Sequence, residues 1–169
     1  MNILYCGNKQ AGCVGLLTLK ALGHNIVAVH TDDELTDKLA RSLGLRILPQ
    51  FGYCWSYNSL AELLVSVHCR NIISYDLLRS LTYGGINVHP YLYVYKGKSP
   101  IKRALEEHNT KASVGVHRMS EKLDCGEVLT EIYIDVTGQT TEEGIYNILY
   151  PYYALAIIDS MSKVTRKEV

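Results

Sequence analysis

The chain has 169 residues, of which 47% are hydrophobic and 20% are charged, enough apolar material for one folded domain. Seventeen basic and seventeen acidic residues cancel, so the sequence lacks the basic excess that a large nucleic-acid interface needs. A small phosphorylated ligand held by one or two cations is compatible with this balance.

The five cysteines are odd in number and scattered, and no two have the C-x-x-C spacing. This usage is typical of a reducing compartment and disfavours both a disulfide framework and a zinc knuckle. The opening residues lack the pattern of a signal peptide, and no apolar run is long enough to cross a bilayer. We therefore expect a soluble, cytoplasmic protein with no membrane partner.

The first quarter of the chain alternates between strand and helix patterns. Residues 2–6, "NILYC", predict a buried strand, and the loop "GNKQAG" then leads into a helix over "CVGLLTLKALG". Residues 25–31 predict a second strand, followed by a helix over 34–44 that Asp32 or Asp33 could cap. This order is typical of a parallel α/β sheet.

The later patterns continue the same architecture less regularly. They predict helices over 58–68, 76–81, 99–108 and 140–163, the last with a Thr cap and a kink at Pro151, and strands over 71–74, 84–88, 113–119 and 127–136. We expect one domain over residues 1–169. Its fold class is α/β, a Rossmann-like, doubly wound, mostly parallel sheet of about six or seven strands flanked by helices.

In such sheets, ligands bind beyond the carboxyl ends of the strands, where the loop "GNKQAG" lies. Backbone N–H groups at Gly7 and Asn8, with the helix dipole, can hold a phosphate, and Lys9 adds a positive charge. The glycine spacing fits neither common nucleotide-binding motif. A tight turn that needs glycine is the simpler interpretation of the loop by itself.

The second feature at a strand end is "NVHP". Asn87 and His89 are two residues apart, so in an extended chain their side chains point the same way, and Pro90 restrains His89 toward that geometry. An amide beside an imidazole suits a reaction in which a carbonyl oxygen becomes negative while a nucleophile loses a proton. An isolated motif of this kind is more often a strand end with locally satisfied polar groups.

A carboxylate follows later, in the loop between the last two predicted strands. Asp124 lies in "LDCGEVL" and could orient His89 or hold a water molecule. The alternative is an ordinary turn aspartate before Gly126.

The motifs occur in an order that resembles a known family. "NVHP", "YKG", "SPIKRAL", "VHRM" and "LDCGEVL" follow one another as in the folate-dependent formyltransferases, which act on glycinamide ribonucleotide, methionyl-tRNA and nucleotide-linked amino sugars. Residues 85–136 carry these motifs, and residues 1–30 resemble the family's opening strand, glycine loop, helix and strand. The resemblance therefore covers most of the chain and implies the formyltransferase fold.

The resemblance implies roles for three side chains. Asn87, His89 and Asp124 match the family's catalytic residues, with 10-formyltetrahydrofolate as the formyl donor and no metal. Asn87 and a protonated His89 would stabilise the tetrahedral oxyanion. Asp124 would keep His89 oriented and charged, and would help to relay the amine's proton through water.

The resemblance also implies binding residues. The folate contacts would be Ile72, Ile73, Ser74, Ile86, Met119, Ser120, Glu121 and Leu123. The acceptor contacts that we predict are Gly7, Asn8, Lys9, Tyr91 and Lys96. The chain departs from the family at "YLYV", which replaces Ser-Leu-Leu-Pro, and at Lys96, which replaces an arginine and loses its bidentate fork.

The acceptor is predicted less directly. Methionyl-tRNA enzymes carry a further carboxyl-terminal domain, so we expect a small-molecule amine and no nucleic acid. Tyr91, Tyr93 and Tyr95 suit stacking on a base or sugar face, which favours a nucleotide-linked amino sugar. The same tyrosines could instead pack against those of the tail.

Three alternatives remain at this point. The chain could be a glycinamide ribonucleotide formyltransferase, with the ribonucleotide's phosphate in the glycine loop. It could be a formyltetrahydrofolate hydrolase, with water as the nucleophile. Outside enzymes, it could be a non-catalytic nucleotide-binding module, which would have no use for Asp124. The tyrosine-rich final helix also offers a face for a homodimer.

Overall fold

Six apolar segments of the chain form the strands of one sheet. The computed structural model describes residues 1–165. The strands are β1 (Asn2–Gly7), β2 (Asn25–His30), β3 (Leu63–Val67), β4 (Gly85–Pro90), β5 (Lys111–Arg118) and β6 (Val128–Asp135). The helices are α1 (Lys9–Ala21), α2 (Glu34–Ser42), α3 (Tyr75–Arg79), α4 (Pro100–Glu106) and α5 (Glu142–Val164), with a 3₁₀ helix at Phe51–Tyr57.

The strand order explains where a ligand site can form. The order is β2-β1-β3-β4-β5-β6, in which β1 to β4 are parallel and β5 runs antiparallel to both of its neighbours. The chain winds from β1 to β2 on one side and then returns to place β3 on the other side of β1. A crevice therefore opens at the carboxyl ends of β1 and β3, the switch point at which such sheets bind ligands.

Side chains alternate between the two faces of the sheet, and each face is covered. On β1, Ile3 and Tyr5 belong to the core beneath α1 and α5. Leu4 and Cys6 point the other way, into a smaller core that includes Leu77 of α3. The predicted doubly wound, mostly parallel sheet is confirmed.

Two predicted elements are wrong, and both lie next to the crevice. The helix predicted over 58–68 is replaced by β3, whose five residues are all buried between β1 and β4. A short apolar run cannot be assigned to strand or helix by periodicity alone. The strand predicted over 71–74 is a loop, in which the Ile72 side chain is 75% exposed and Ser74 caps α3 by accepting from the Leu77 N–H.

The predicted caps of two helices are confirmed. The Asp33 side chain accepts hydrogen bonds from the backbone N–H groups of Leu35 and Thr36, and Thr141 accepts one from Gly144 at the start of α5. Pro151 lies inside α5. No helix within residues 1–165 is both long and apolar enough to cross a membrane. The final four residues of the domain predicted over 1–169 lie outside the described residues.

Candidate active site

A row of polar side chains crosses three neighbouring strands on one face of the sheet. In the strand register, Ser66 of β3 is opposite Asn87 of β4, and Asn87 is opposite His117 of β5. The Ser66 hydroxyl donates to Oδ1 of Asn87 at 2.9 Å, and Nδ2 of Asn87 lies 3.3 Å from Nε2 of His117. Because the Ser66 hydroxyl pairs with the amide oxygen, the donor end of Asn87 is directed toward His117 and the cleft.

His89 lies two residues further along β4 and is held by the loop that follows the strand. Its Nε2 is 3.0 Å from the carbonyl oxygen of Gly97. A carbonyl oxygen only accepts hydrogen bonds, so Nε2 carries a proton. The Nδ1 atom is buried and has no hydrogen-bond partner among the described residues. A buried ring nitrogen without a partner is the kind of polar group that a bound ligand or water completes.

Asp124 connects this loop to the two histidines. Its Oδ2 accepts from the backbone N–H of Gly97 at 2.8 Å and lies 3.5 Å from Nε2 of His89. Its Oδ1 lies 3.4 Å from Nε2 of His117. The carboxylate therefore reaches across from the loop after β5 to the face of β4 that carries Asn87 and His89.

The pKa of Asp124 is lowered to about 2. The largest cause is the hydrogen bond from His117, and the charge of His89 and the N–H of Gly97 act in the same direction. These contributions outweigh burial, which by itself would raise the pKa. Asp124 is thus ionised throughout the physiological pH range and suits orientation and charge balance better than proton donation.

The backbone around Asp124 is tightly constrained. Asp124 has a φ of 50°, a left-handed conformation that is uncommon for residues other than glycine and is found at functional sites. A Cβ atom at Gly126 would overlap the carbonyl oxygen of Arg118. That same oxygen accepts from Nδ1 of His117 at 2.8 Å. Glycine at 126 therefore allows the Asp124 loop to close against β5.

The three predicted catalytic side chains line one cleft of about 580 Å³. Its volume lies within the range usual for small-molecule sites. Of the predicted folate contacts, the cleft is lined by Ile72, Ile73, Met119, Ser120 and Leu123. Of the predicted acceptor contacts, Lys9 lines it.

The other three predicted folate contacts, Ser74, Ile86 and Glu121, are not among the residues that line the cleft. Ile86 is fully buried on the face of the sheet opposite Asn87, because adjacent residues of a strand point in opposite directions. Ser74 uses its side chain to cap α3. Glu121 is exposed and is not among the residues that line the cleft. The prediction that Ile86 lines the folate pocket is therefore corrected.

Two of the three tyrosines after β4, Tyr91 and Tyr95, are buried inside the domain. Tyr91 is fully buried, and its ring contacts that of Tyr95 edge-on, with 5.6 Å between the ring centroids. The ring of Tyr93 contacts that of Tyr133 in β6, with 5.0 Å between the ring centroids. The prediction of Tyr91 as an acceptor contact is thus corrected, because the Tyr91 side chain is packed inside the domain with its ring against Tyr95. Lys96 is exposed and does not line the cleft.

The glycine loop is also mainly structural. The backbone N–H of Asn8 donates to Val67 and that of Lys9 donates to the Asp33 carboxylate, so neither group is free to hold a phosphate. The buried Asn8 side chain donates to the carbonyl oxygen of His68 and accepts from the backbone N–H of Asp32. A Cβ atom at Gly7 would lie 2.5 Å from the Tyr5 ring. Gly7 and Asn8 therefore shape the turn, as the simpler interpretation expects.

Sequence reasoning missed several residues of the cleft, among them Ser66 and His68, and a neighbouring pocket. Ser66 and His68 both line the cleft, but they lie in the segment that was predicted to be a helix. A second cleft of about 260 Å³ shares residues with the first, and the side chains that line it come mainly from α1 and α5. Those residues are Lys9, Gln10, Ala11, His68, Glu143, Tyr146, Asn147 and Tyr150.

Comparison with known proteins assigns the family. Residues 56–151 match the family model described as formyl transferase. The chain belongs to the formyl transferase family. The resemblance inferred from the motifs is therefore confirmed.

Among its relatives is the bifunctional polymyxin resistance protein ArnA of Wigglesworthia glossinidia brevipalpis. The two are 28% identical over 168 residues, covering 88% of this chain and 25% of ArnA. This formyl transferase chain thus spans about a quarter of the length of that relative.

Solved structures share the fold. Glycinamide ribonucleotide transformylase 1 from Symbiobacterium toebii superposes with a TM-score of 0.83 at 15% identity, covering 95% of this chain and 85% of that one. A formyltetrahydrofolate deformylase from Pseudomonas syringae pv. tomato superposes with a TM-score of 0.79 at 14% identity, covering 95% of this chain and 59% of that one. At these identities the likeness extends to the fold, which confirms the predicted formyltransferase fold.

Proposed function

We propose that the chain transfers a formyl group from 10-formyltetrahydrofolate to the primary amine of a small acceptor. The observation that carries the proposal is the convergence of Asn87, His89 and Asp124 on one cleft, although Asp124 is remote in sequence. Formyl transferases use formyl-tetrahydrofolate, and the buried, unpartnered Nδ1 of His89 fits a site that a ligand completes. A non-catalytic nucleotide-binding module would not account for this arrangement.

The proposed chemistry is a direct transfer. The neutral amine attacks the formyl carbon, and the carbonyl oxygen becomes an oxyanion that Nδ2 of Asn87 and the His89 imidazolium stabilise. The bond from that carbon to N10 of the folate then breaks, and the proton lost by the amine ends on N10. Asp124 keeps the His89 ring in place and balances its charge. No group of three or more His, Cys, Asp or Glu side chains within residues 1–165 is arranged to hold a metal ion.

For the acceptor, we favour a nucleotide-linked amino sugar. The second cleft offers the carboxylate of Glu143 and the amides of Gln10 and Asn147, which suit sugar hydroxyls, beside the rings of Tyr146 and Tyr150. Such side chains bind a polar, partly flat molecule. Glycinamide ribonucleotide remains the alternative acceptor.

The charges of the main cleft favour an anionic ligand. Lys9, Arg70 and Lys98 line it, and none of them is paired with a carboxylate in the part of the chain that the structure describes. Among the described residues, Asp124 is the one carboxylate that lines the cleft, and it is engaged with the histidines. Phosphates of the acceptor and carboxylates of the folate are the anions that these cations would bind.

The test is incubation of the protein with 10-formyltetrahydrofolate and a panel of nucleotide-linked amino sugars and glycinamide ribonucleotide. Release of tetrahydrofolate is followed by absorbance, and the formylated amine by mass spectrometry. We expect transfer to at least one amine, reduced roughly a hundredfold or more in His89→Asn. Transfer that survives unchanged in His89→Asn would refute the proposed mechanism. Formate release without any amine would instead support the hydrolase.

A further inference from the structure

His68 lies where the two clefts meet, in a conformation that several contacts impose. It follows β3 directly, lines both clefts and has a φ of 57°, in the left-handed region. Its Nε2 lies 2.6 Å from the hydroxyl of Tyr153. The rings of Tyr146 and Tyr153 contact the imidazole edge-on, with centroid distances of 5.5 and 5.4 Å. The imidazole is thus held in one orientation at an unfavourable backbone geometry.

The hydrogen bond to Tyr153 identifies which ring nitrogen carries the proton. Tyr153 is fully buried, and burial raises its pKa well above the usual value, so its hydroxyl keeps its proton. Within residues 1–165 that hydroxyl has no other hydrogen-bond partner than His68. The tyrosine must therefore donate to Nε2, since otherwise its proton would be buried and unpaired. In a neutral imidazole this leaves the proton on Nδ1.

The Nδ1–H group is available to a ligand. No described residue pairs with it, and it is not among the fully buried polar atoms, so Nδ1 keeps some exposure on a side chain that lines both clefts. Burial, with the charges of Lys9 and His89, lowers the pKa of His68 to about 4. The ring is thus neutral near pH 7 and too weak a base to take a proton from an ammonium group. Its chemistry here is hydrogen-bond donation.

We infer that His68 binds the acceptor by donating its Nδ1–H to an oxygen atom next to the reactive amine, and that Tyr153 positions the ring for this contact. The inference rests on the proposed formyl transfer and narrows its acceptor class. The favoured acceptors carry a hydroxyl beside the amine, as amino sugars do, and extend from the main cleft into the second one. An amine without such an oxygen leaves the donor unpaired.

The test compares two probes in steady-state kinetics. One is a UDP-linked amino sugar, and the other is its analogue with hydrogen in place of the hydroxyl next to the amine. His68→Gly removes the ring and suits the left-handed backbone. We expect the acceptor KM for the hydroxylated probe to rise about tenfold, the loss of roughly one hydrogen bond, with kcat and the folate KM within about threefold. The deoxy probe should be little affected by the substitution.

Two further variants separate recognition from folding. His108 is exposed, has a φ of 54° and lines neither cleft, so His108→Gly makes the same backbone change without affecting either KM. Tyr153→Phe should raise the acceptor KM in the same direction as His68→Gly, with thermal melting as the check on folding. An equal effect of His68→Gly on both probes, or no effect on either, overturns the role of His68. Failure of the unmodified protein to formylate any amine removes the proposed function, and this inference with it.

Discussion

The Ser66 hydroxyl fixes the orientation of the Asn87 amide by donating to its oxygen at 2.9 Å. Without this hydrogen bond the amide can rotate and present its oxygen to the cleft, where a developing oxyanion needs a donor. The two residues come from adjacent strands in register, so the geometry is set by the pairing of β3 with β4. Ser66 is therefore a positioning residue for Asn87.

Ser66→Ala is expected to lower kcat for formyl transfer about fivefold and to leave the folate KM nearly unchanged. The substitution removes the hydrogen bond from Ser66 to Asn87, and the loss of about 1 kcal/mol for one hydrogen bond corresponds to about fivefold in rate. Ser113→Ala is the matched control, because Ser113 is also buried on the sheet but donates to Glu131, away from the cleft. Equal kcat values for the two variants would contradict the role of Ser66.

Asp124→Asn is expected to reduce kcat roughly a hundredfold, because the proposed mechanism needs the carboxylate that lies beside Nε2 of His89. Asp135→Asn, at the far end of β6, serves as the control and should leave transfer unchanged. Steady-state kinetics at saturating folate measure both variants. Activity of Asp124→Asn near that of the unmodified protein would remove Asp124 from the mechanism.

The stability of the protein should also depend on Asp124 at acid pH. The pKa of the carboxyl is about 2 in the folded chain, below its usual value of 3.8, so its stabilising contribution is fully present above about pH 4. That contribution is lost as the pH falls toward 2. The difference in free energy of unfolding between the unmodified protein and Asp124→Asn should therefore shrink across this range. Urea unfolding at several pH values measures it, and a constant difference would contradict the assignment.

Local sequence patterns are sufficient to predict the first turn of the fold and the starts of two helices. The glycine loop, the Asp33 cap and the Thr141 cap depend on contacts within a few residues, and each of these is readable from spacing. The strand β3 cannot be predicted in this way, because its segment "LLVSV" is buried on both faces and shows no alternation of apolar and polar residues. Its identity depends on the strands that flank it in space.

The same limit applies to the site. Asn87, His89 and Asp124 were identified from motif order, and the structure brings them to one cleft. Ser66 and His68 could not be found, because their contribution follows from the register of β3. The alternation of side chains along β4 turns both sequence neighbours of Asn87, Ile86 and Val88, toward the opposite core.

The exposed apolar side chains at the mouth of the cleft provide a test of the folate site. Ile72 is 75% exposed and Leu123 is 67% exposed, although both line the cleft. Ile72→Ser and Leu123→Ser should each raise the folate KM roughly five- to thirtyfold, because each removes about 1–2 kcal/mol of apolar burial on binding. Thermal stability should not change.

Leu60→Ser is the control for these substitutions, since Leu60 is 57% exposed and does not line the cleft. Kinetics with varied 10-formyltetrahydrofolate at a fixed acceptor concentration measure the effect. If the folate KM of both cleft variants equals that of Leu60→Ser, the donor does not bind against this surface.

Gly126 links the backbone of the Asp124 loop to the His117 ring. A Cβ atom in Gly126→Ala would overlap the Arg118 carbonyl oxygen, which accepts from Nδ1 of His117. The loop or the strand must shift, so we expect kcat to fall at least about tenfold and the melting temperature to drop by roughly 5 °C, as overpacking of 1–3 kcal/mol predicts. Gly52→Ala, with open space at its Cβ, should change neither quantity. A Gly126→Ala protein with normal melting and kcat would show that closure of the loop against β5 is not required.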